Sequence, residues 1–177
     1  MRLSLHEHPH GVATEAGARV VYDIDGDEAH FGAVRIEGPA VVWELGGDAP
    51  GAAVQAELDL GATPDWIVRC DRIDFPPGGV AYRHTHPGAG IRRLLFGSIE
   101  IDAEGHVTQH GAGDAWVEGA DYPVLATASE TEPTAFVRVM VLPAEWEGKR
   151  TIRYLDPADE EKPKLQRPTV FFDRPLA

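Results

Sequence analysis

Cysteine is almost missing from this chain of 177 residues: Cys70 stands alone. A single cysteine excludes an internal disulfide framework and suits a reducing compartment. Long apolar runs are missing as well, so no segment reads as a bilayer-spanning helix. The opening residues, Met1 to Glu7, hold no apolar stretch of signal-peptide length, and the expected location is cytoplasmic. Basic residues are scarce: 16 Lys and Arg stand against 29 Asp and Glu, for a formal net charge of −13. No cluster of Lys and Arg interrupts that balance. Phosphate backbones and anionic membrane surfaces repel such a chain, so neither nucleic acid nor a membrane is expected as a partner. Also absent are sustained helical periodicity, a Gly-x-Ser-x-Gly elbow, a Walker loop, a dinucleotide fingerprint and a His-Glu-x-x-His helix.

What the chain has in quantity is punctuation, with 19 Gly and 14 Pro spread along its length. Between them lie short segments rich in Val, Ile, Phe and Trp. Residues 33–36, 41–45, 67–75, 91–96, 98–101, 114–117 and 136–142 read as strands. Gly46-Gly47, Pro76-Pro77-Gly78-Gly79, Gly111-Ala112-Gly113-Asp114 and Gly148 mark turns. Many short strands with few helix candidates indicate an all-β, antiparallel sandwich or barrel. Residues 49–60 fit a short helix or a loop with a strand equally well. The tail over 156–177 is charged and carries four prolines, yet Thr169-Val170-Phe171-Phe172 is apolar enough to dock, for instance on a sheet edge.

Chemistry concentrates after Pro76. Side chains alternate along a strand, so His84 and His86 share a face, and two imidazoles so placed can share a divalent metal. By the same alternation Tyr82 shares that face. The strand then turns at Pro87-Gly88 and returns through apolar residues to Gly97. This segment resembles the first motif of the cupins: Gly, five residues, His-x-His, three or four residues, Glu, six residues, Gly. Gly78, His84, His86 and Gly97 fill that pattern, and Gly113-Asp114 before Ala115-Trp116-Val117 is similar to the start of the second motif. The resemblance spans residues 67–142. It implies a double-stranded, RmlC-like jelly-roll β-barrel with a small-molecule pocket, and a divalent metal (Fe, Mn, Ni or Zn) on His84 and His86.

Two of the family's four ligands are not matched. Gly90 stands at the glutamate position and Val124 at the position of the third histidine. If Gly90 faces inward, Arg92 does too, which would make the pocket mouth more positive. A guanidinium pairs well with carboxylate or phosphate, so the expected ligand is a small anion with an aromatic or apolar part, touched by Tyr82, Arg92 and Trp116. An outer-face ion pair is the duller role for Arg92, and a metal-free barrel with two pocket-lining histidines the duller role for His84 and His86. His6, His8 and His10 form a second alternating run near the terminus. His106 and His110 are expected at solvent or a turn, and Cys70 as a buried small hydrophobe.

Two functions from different classes fit. One is a metal-dependent oxygenase or isomerase acting on a small anionic metabolite; the other is a ligand-binding or sensing barrel without metal. A degenerate barrel kept for assembly is the third. The expected organisation is an N-terminal extension over 1–30, a barrel over 31–145 and a C-terminal extension over 146–177. The resemblance also implies a homodimer formed through sheet edges.

Overall fold

In the computed structural model, residues 1–61, 65–103 and 105–176 are described. The strands in chain order are β1 (Arg2–His8), β2 (Val12–Ala13), β3 (Arg19–Asp23), β4 (Glu28–Phe31), β5 (Arg35–Ile36), β6 (Ala40–Leu45) and β7 (Val54–Glu57). They continue with β8 (Trp66–Phe75), β9 (Val80–Thr85), β10 (Gly90–Phe96), β11 (Ser98–Ala103), β12 (His106–Gly111) and β13 (Ala115–Glu118). The last are β14 (Val124–Ala128), β15 (Thr134–Pro143), β16 (Arg153–Tyr154) and β17 (Arg167–Leu176). Every expected strand segment falls on one of these. The undecided stretch at 49–60 contains β7.

All pairings are antiparallel and build three five-stranded sheets, ordered β4-β3-β6-β1-β7, β13-β10-β15-β8-β17 and β12-β11-β14-β9-β16, with β2 and β5 as a small ribbon. The second and third sheets face each other across Ile73, Phe75, Leu94, Ile99, Trp116 and Phe136. This is the double-stranded jelly roll that the cupin resemblance implies. The first sheet covers the other face of the second, across Leu5, Val20, Trp43, Val68, Ile91 and Val139. The middle sheet is therefore buried on both faces. That is why nine of the ten residues of β15 are buried, and why its sequence reads as a continuous apolar run rather than an alternation. Trp43 is fully buried between these layers, and its Nε1–H donates to the Ile91 carbonyl at 3.2 Å.

Strands from both sides of residue 31 pair in the first sheet: β3 lies between β4 and β6, in register from Arg19 opposite Glu44 to Asp23 opposite Ala40. Strands β1, β3, β4, β6 and β7 thus share one sheet, separate from the two that follow. Periodicity could not reveal this, because a strand's alternation does not say which sheet it joins.

The tail docks along the edge of the middle sheet, where β17 pairs with β8 from Arg167 opposite Asp74 to Leu176 opposite Trp66. Phe171 and Phe172 reach the first sheet, with ring centroids 5.8 Å from Tyr22 and 6.2 Å from Phe31. The motif glycine Gly97 has φ +78°, and a Cβ there would lie 2.8 Å from Thr134 Cα. Glycine is required by both the backbone angle and the space.

Candidate functional site

Between the two barrel sheets lies a cavity of about 590 Å³, within the size range of small-molecule sites. Part of its wall is apolar, formed by Ile73, Phe75, Ala81, Ile101, Val124 and Phe136. His84 and His86 also line it, both nearly fully buried, with ring centroids 4.9 Å apart at an interplanar angle of 82°.

A β-bulge sets this geometry. β14 pairs with β9 through Val124 opposite His84 and Ala126 opposite Ala81, so two residues, Tyr82 and Arg83, stand against Leu125 alone. The bulge lets Ala81 and His84 both face the cavity. Strict alternation would have placed Tyr82 there instead. Its ring is not part of the wall and packs under the ammonium of Lys162, 4.5 Å from the ring centroid. The tyrosine still serves the site through its backbone: the Tyr82 carbonyl accepts from His84 Nδ1 at 2.6 Å. A carbonyl can only accept, so Nδ1 carries the proton, and Nε2 is the basic nitrogen left to the cavity.

His86 is held at both ring nitrogens. Nη1 of Arg138 lies 3.0 Å from Nε2, and Oγ1 of Thr151 lies 3.1 Å from Nδ1. A guanidinium can only donate, so Nε2 accepts and Nδ1–H donates to Thr151. Burial holds His86 well below the ordinary histidine range, and the charge of Arg138 adds to the effect. His84 is lowered as well, chiefly by burial. Both rings are neutral near pH 7.

Three of the charges come from one row across the middle sheet. Trp116, Arg92, Arg138 and Asp71 are successive register partners on β13, β10, β15 and β8. Arg138 donates from Nε and Nη2 to the two oxygens of Asp71, at 2.7 and 3.0 Å. Arg92 pairs with Glu118 at 2.7 Å and donates to the Gly90 carbonyl at 3.0 Å. Trp116 Nε1–H donates to the other Glu118 oxygen at 2.8 Å. Burial pushes Arg92 down to about 10. Burial also pushes Glu118 upward, but Arg92 and the Trp116 hydrogen bond outweigh it and leave the carboxyl below its ordinary value.

Of the expected site residues, His84 and His86 line the cavity, whereas Tyr82, Arg92 and Trp116 do not. Arg92 is inside the barrel and fully buried, but its guanidinium is engaged by Glu118. Trp116 is core, stacked against His110 at 4.6 Å and edge-on to Phe136 at 5.4 Å. Arg138, Asp71 and Glu118 all line the cavity and were not anticipated. For two of them the signal was available: Arg138 and Glu118 are each the one charge in an otherwise apolar strand, as in Phe136-Val137-Arg138-Val139-Met140, whereas Asp71 stands in a strand with three other charges.

The C-terminal segment forms the mouth. Arg69 grips Asp173 through two hydrogen bonds of 2.7 and 2.6 Å and donates to the carbonyls of Lys149 and Trp146. This staple brings Lys149, Arg150, Thr151 and Lys164 to the wall. Arg150 has Glu160 at 3.5 Å. Lys149 and Lys164 have no carboxylate partner among the described residues; the Lys164 ammonium donates to backbone carbonyls, including Glu160 O at 2.8 Å.

The donor set does not fit a divalent metal. Among the described residues, no group of three His, Cys, Asp or Glu is arranged to hold one. A metal–imidazole bond is about 2.1 Å long, so an ion on the Nε2 lone pair of His86 would sit within about 1 Å of Arg138 Nη1. At the family's glutamate position, a Cβ on Gly90 would lie 2.9 Å from Met140 Cα and collide with the Val139 carbonyl. No side chain fits there. At the position of the third histidine, Val124 stands directly opposite His84.

No family model matches the chain, and no curated protein matches it. Solved structures do match over about half of its length. An uncharacterised conserved protein with a double-stranded β-helix domain from Klebsiella pneumoniae is 30% identical, over 48% of this chain and 72% of that one, with a TM-score of 0.37. An RmlC-like cupin from Shewanella frigidimarina is 16% identical over 49% and 82%, with a TM-score of 0.39. The DMSP lyase DddQ from Ruegeria pomeroyi is 21% identical over 56% and 57%, with a TM-score of 0.43. No helix among the described residues is long and apolar enough to cross a membrane.

Proposed function

From the premise that this chain belongs to the cupin superfamily, with the superfamily's barrel and first-motif histidine pair, we propose that it binds a small organic anion without help from a metal. The observation that carries this reading is the cation of Lys149 at the mouth. The chain carries a formal charge of −13, yet Lys149 stands at the cavity wall without a carboxylate partner among the described residues, while the Lys164 ammonium beside it is held by the carbonyls of Asp159, Glu160 and Lys162. An acidic group enters such a mouth favourably, while the apolar part of the wall takes a hydrocarbon or aromatic body.

Size supports the same reading. A cavity of about 590 Å³ suits a metabolite and is far too small for a macromolecule. The anion was expected at Arg92; it is assigned instead to the mouth, because the charge of Arg92 is neutralised inside the barrel by Glu118.

Thermal-shift and calorimetric titration with a panel of aromatic and aliphatic carboxylates and phosphate esters, at constant ionic strength, tests the proposal. Binding should favour acids over their amides or alcohols, and a Lys149→Ala variant should bind roughly tenfold or more weakly. Equal binding of acid and amide, or an unaffected Lys149→Ala variant, would remove the basis for it.

One observation favours a catalytic version of the reading, an isomerase that works by proton transfer. His84 is neutral, carries its proton on Nδ1 and leaves Nε2 to the cavity, the arrangement a general base needs. Exchange of a substrate C–H for deuterium in heavy water, lost in His84→Gln, distinguishes catalysis from binding alone.

A further inference from the structure

The residue that most changes the chemistry of this barrel is neither histidine but Arg138. We propose that its guanidinium occupies the position of a metal on His86 and is what closes an otherwise serviceable two-histidine site to divalent ions. The proposal does not depend on which ligand the pocket takes.

Three observations carry it. Nη1 of Arg138 lies 3.0 Å from Nε2 of His86, on the lone pair a metal would use. The guanidinium is held there rather than swinging freely: Nε and Nη2 are tied to Asp71, its direct register partner on β8, and both side chains are buried. His84 and His86 nevertheless retain what a pair of ligands needs, with adjacent rings and Nδ1 atoms turned away onto Tyr82 O and Thr151 Oγ1. Metal-binding histidines are oriented by such outer partners. The ligands are in place, and a fixed cation stands where the ion would go.

Electrostatics points the same way. A divalent ion would sit beside the positive charges of Arg138 and Arg92, against the carboxylates of Asp71 and Glu118, each already bonded to an arginine. Displacing Arg138 would strand Asp71 as a buried, unpaired charge, which is costly.

The test is nickel binding by the full chain. His6, His8 and His10 form a second alternating run, so the parent carries His8→Gln and His10→Gln to remove that competing site. Into this background go Arg138→Leu and Asp71→Asn together, so that neither charge is left alone. Calorimetry should register one nickel per chain in this variant, bound roughly tenfold or more tightly than by the parent, and His86→Gln should abolish the gain. Equal binding by the parent, or a folded variant with no gain, overturns the proposal. If the variant does not fold, the parent answers by itself through ¹⁵N spectra of its histidines with added nickel. His84 and His86 signals that stay in place support Arg138 as the occupant; stoichiometric shift or broadening of both refutes it.

Discussion

Arg138 and Asp71 face each other directly across β15 and β8, joined by hydrogen bonds of 2.7 and 3.0 Å with both side chains buried. Arg138 continues to His86 and abuts Arg92 on β10, while Asp71 stands opposite Val170 on β17. Three of the charges in the barrel's interior therefore lie in a single row across the middle sheet, and Glu118, opposite Gly90, joins it through Arg92.

Breaking that row from one side should be costly. Asp71→Ala leaves Arg138 buried without a counter-charge, and a loss of about 3–5 kcal/mol is expected. Replacing both partners with apolar residues, as in Asp71→Leu/Arg138→Met, should recover most of it. Urea unfolding of the single and double variants measures this; equal losses would mean that the pair is not the unit that matters.

The histidines predict a pH dependence. Folding lowers the pKa of His84 and of His86, so the unfolded chain binds protons near pH 6.5 that the folded chain refuses. Their folded-state neutrality costs nothing above that range. Stability should fall as pH drops below about 6.5, until the folded-state pKa values are reached. A His84→Gln/His86→Gln variant should show a shallower decline in its urea midpoint between pH 7 and 5.

Glu118 acts in a lower window. Its folded-state pKa is below its ordinary value, so it contributes stability that is fully present above the ordinary carboxylate range and is lost as pH falls through the folded pKa. Glu118→Gln should lower stability near pH 7 by about 3–5 kcal/mol, because Arg92 is stranded. It should also be less sensitive to acid below about pH 4.5. A parent and variant that run parallel down to pH 3 would contradict the assignment.

Gly90 is a packing requirement. A Cβ at this position meets the backbone of Val139 and Met140, and Gly90→Ala should cost about 3 kcal/mol or more. Installing the family's glutamate with Gly90→Glu should disrupt β10 and not create a metal centre. Circular dichroism melts and nickel titration read the two outcomes.

The Arg69 staple predicts local mobility. Arg69 is nearly fully buried and bonds Asp173 twice, along with two carbonyls of the preceding turn. Arg69→Met should speed amide exchange in β17 and residues 146–151 ahead of the rest of the barrel. Exchange that rises uniformly would indicate a general loss of stability instead.

Much of this protein was determined by sequence alone. Gly and Pro punctuation between β-branched and aromatic segments specified an all-β chain, since those residues dictate local backbone geometry. The spacing of Gly78, His84, His86 and Gly97 placed the hairpin that aims two imidazoles into a concavity, because period-two alternation is a local property. Three features were decided by tertiary structure. The bulge at Tyr82 and Arg83 reversed the phase of alternation, and it arises from pairing with β14 rather than from β9 itself. The first thirty residues became part of a third layer, because the outer face of the middle sheet is apolar and needs a cover. Arg138 met His86 across 52 positions of chain. Only the closing of one sheet over another brings such distant groups within hydrogen-bonding reach, and that contact determines whether the histidine pair faces a metal or a guanidinium.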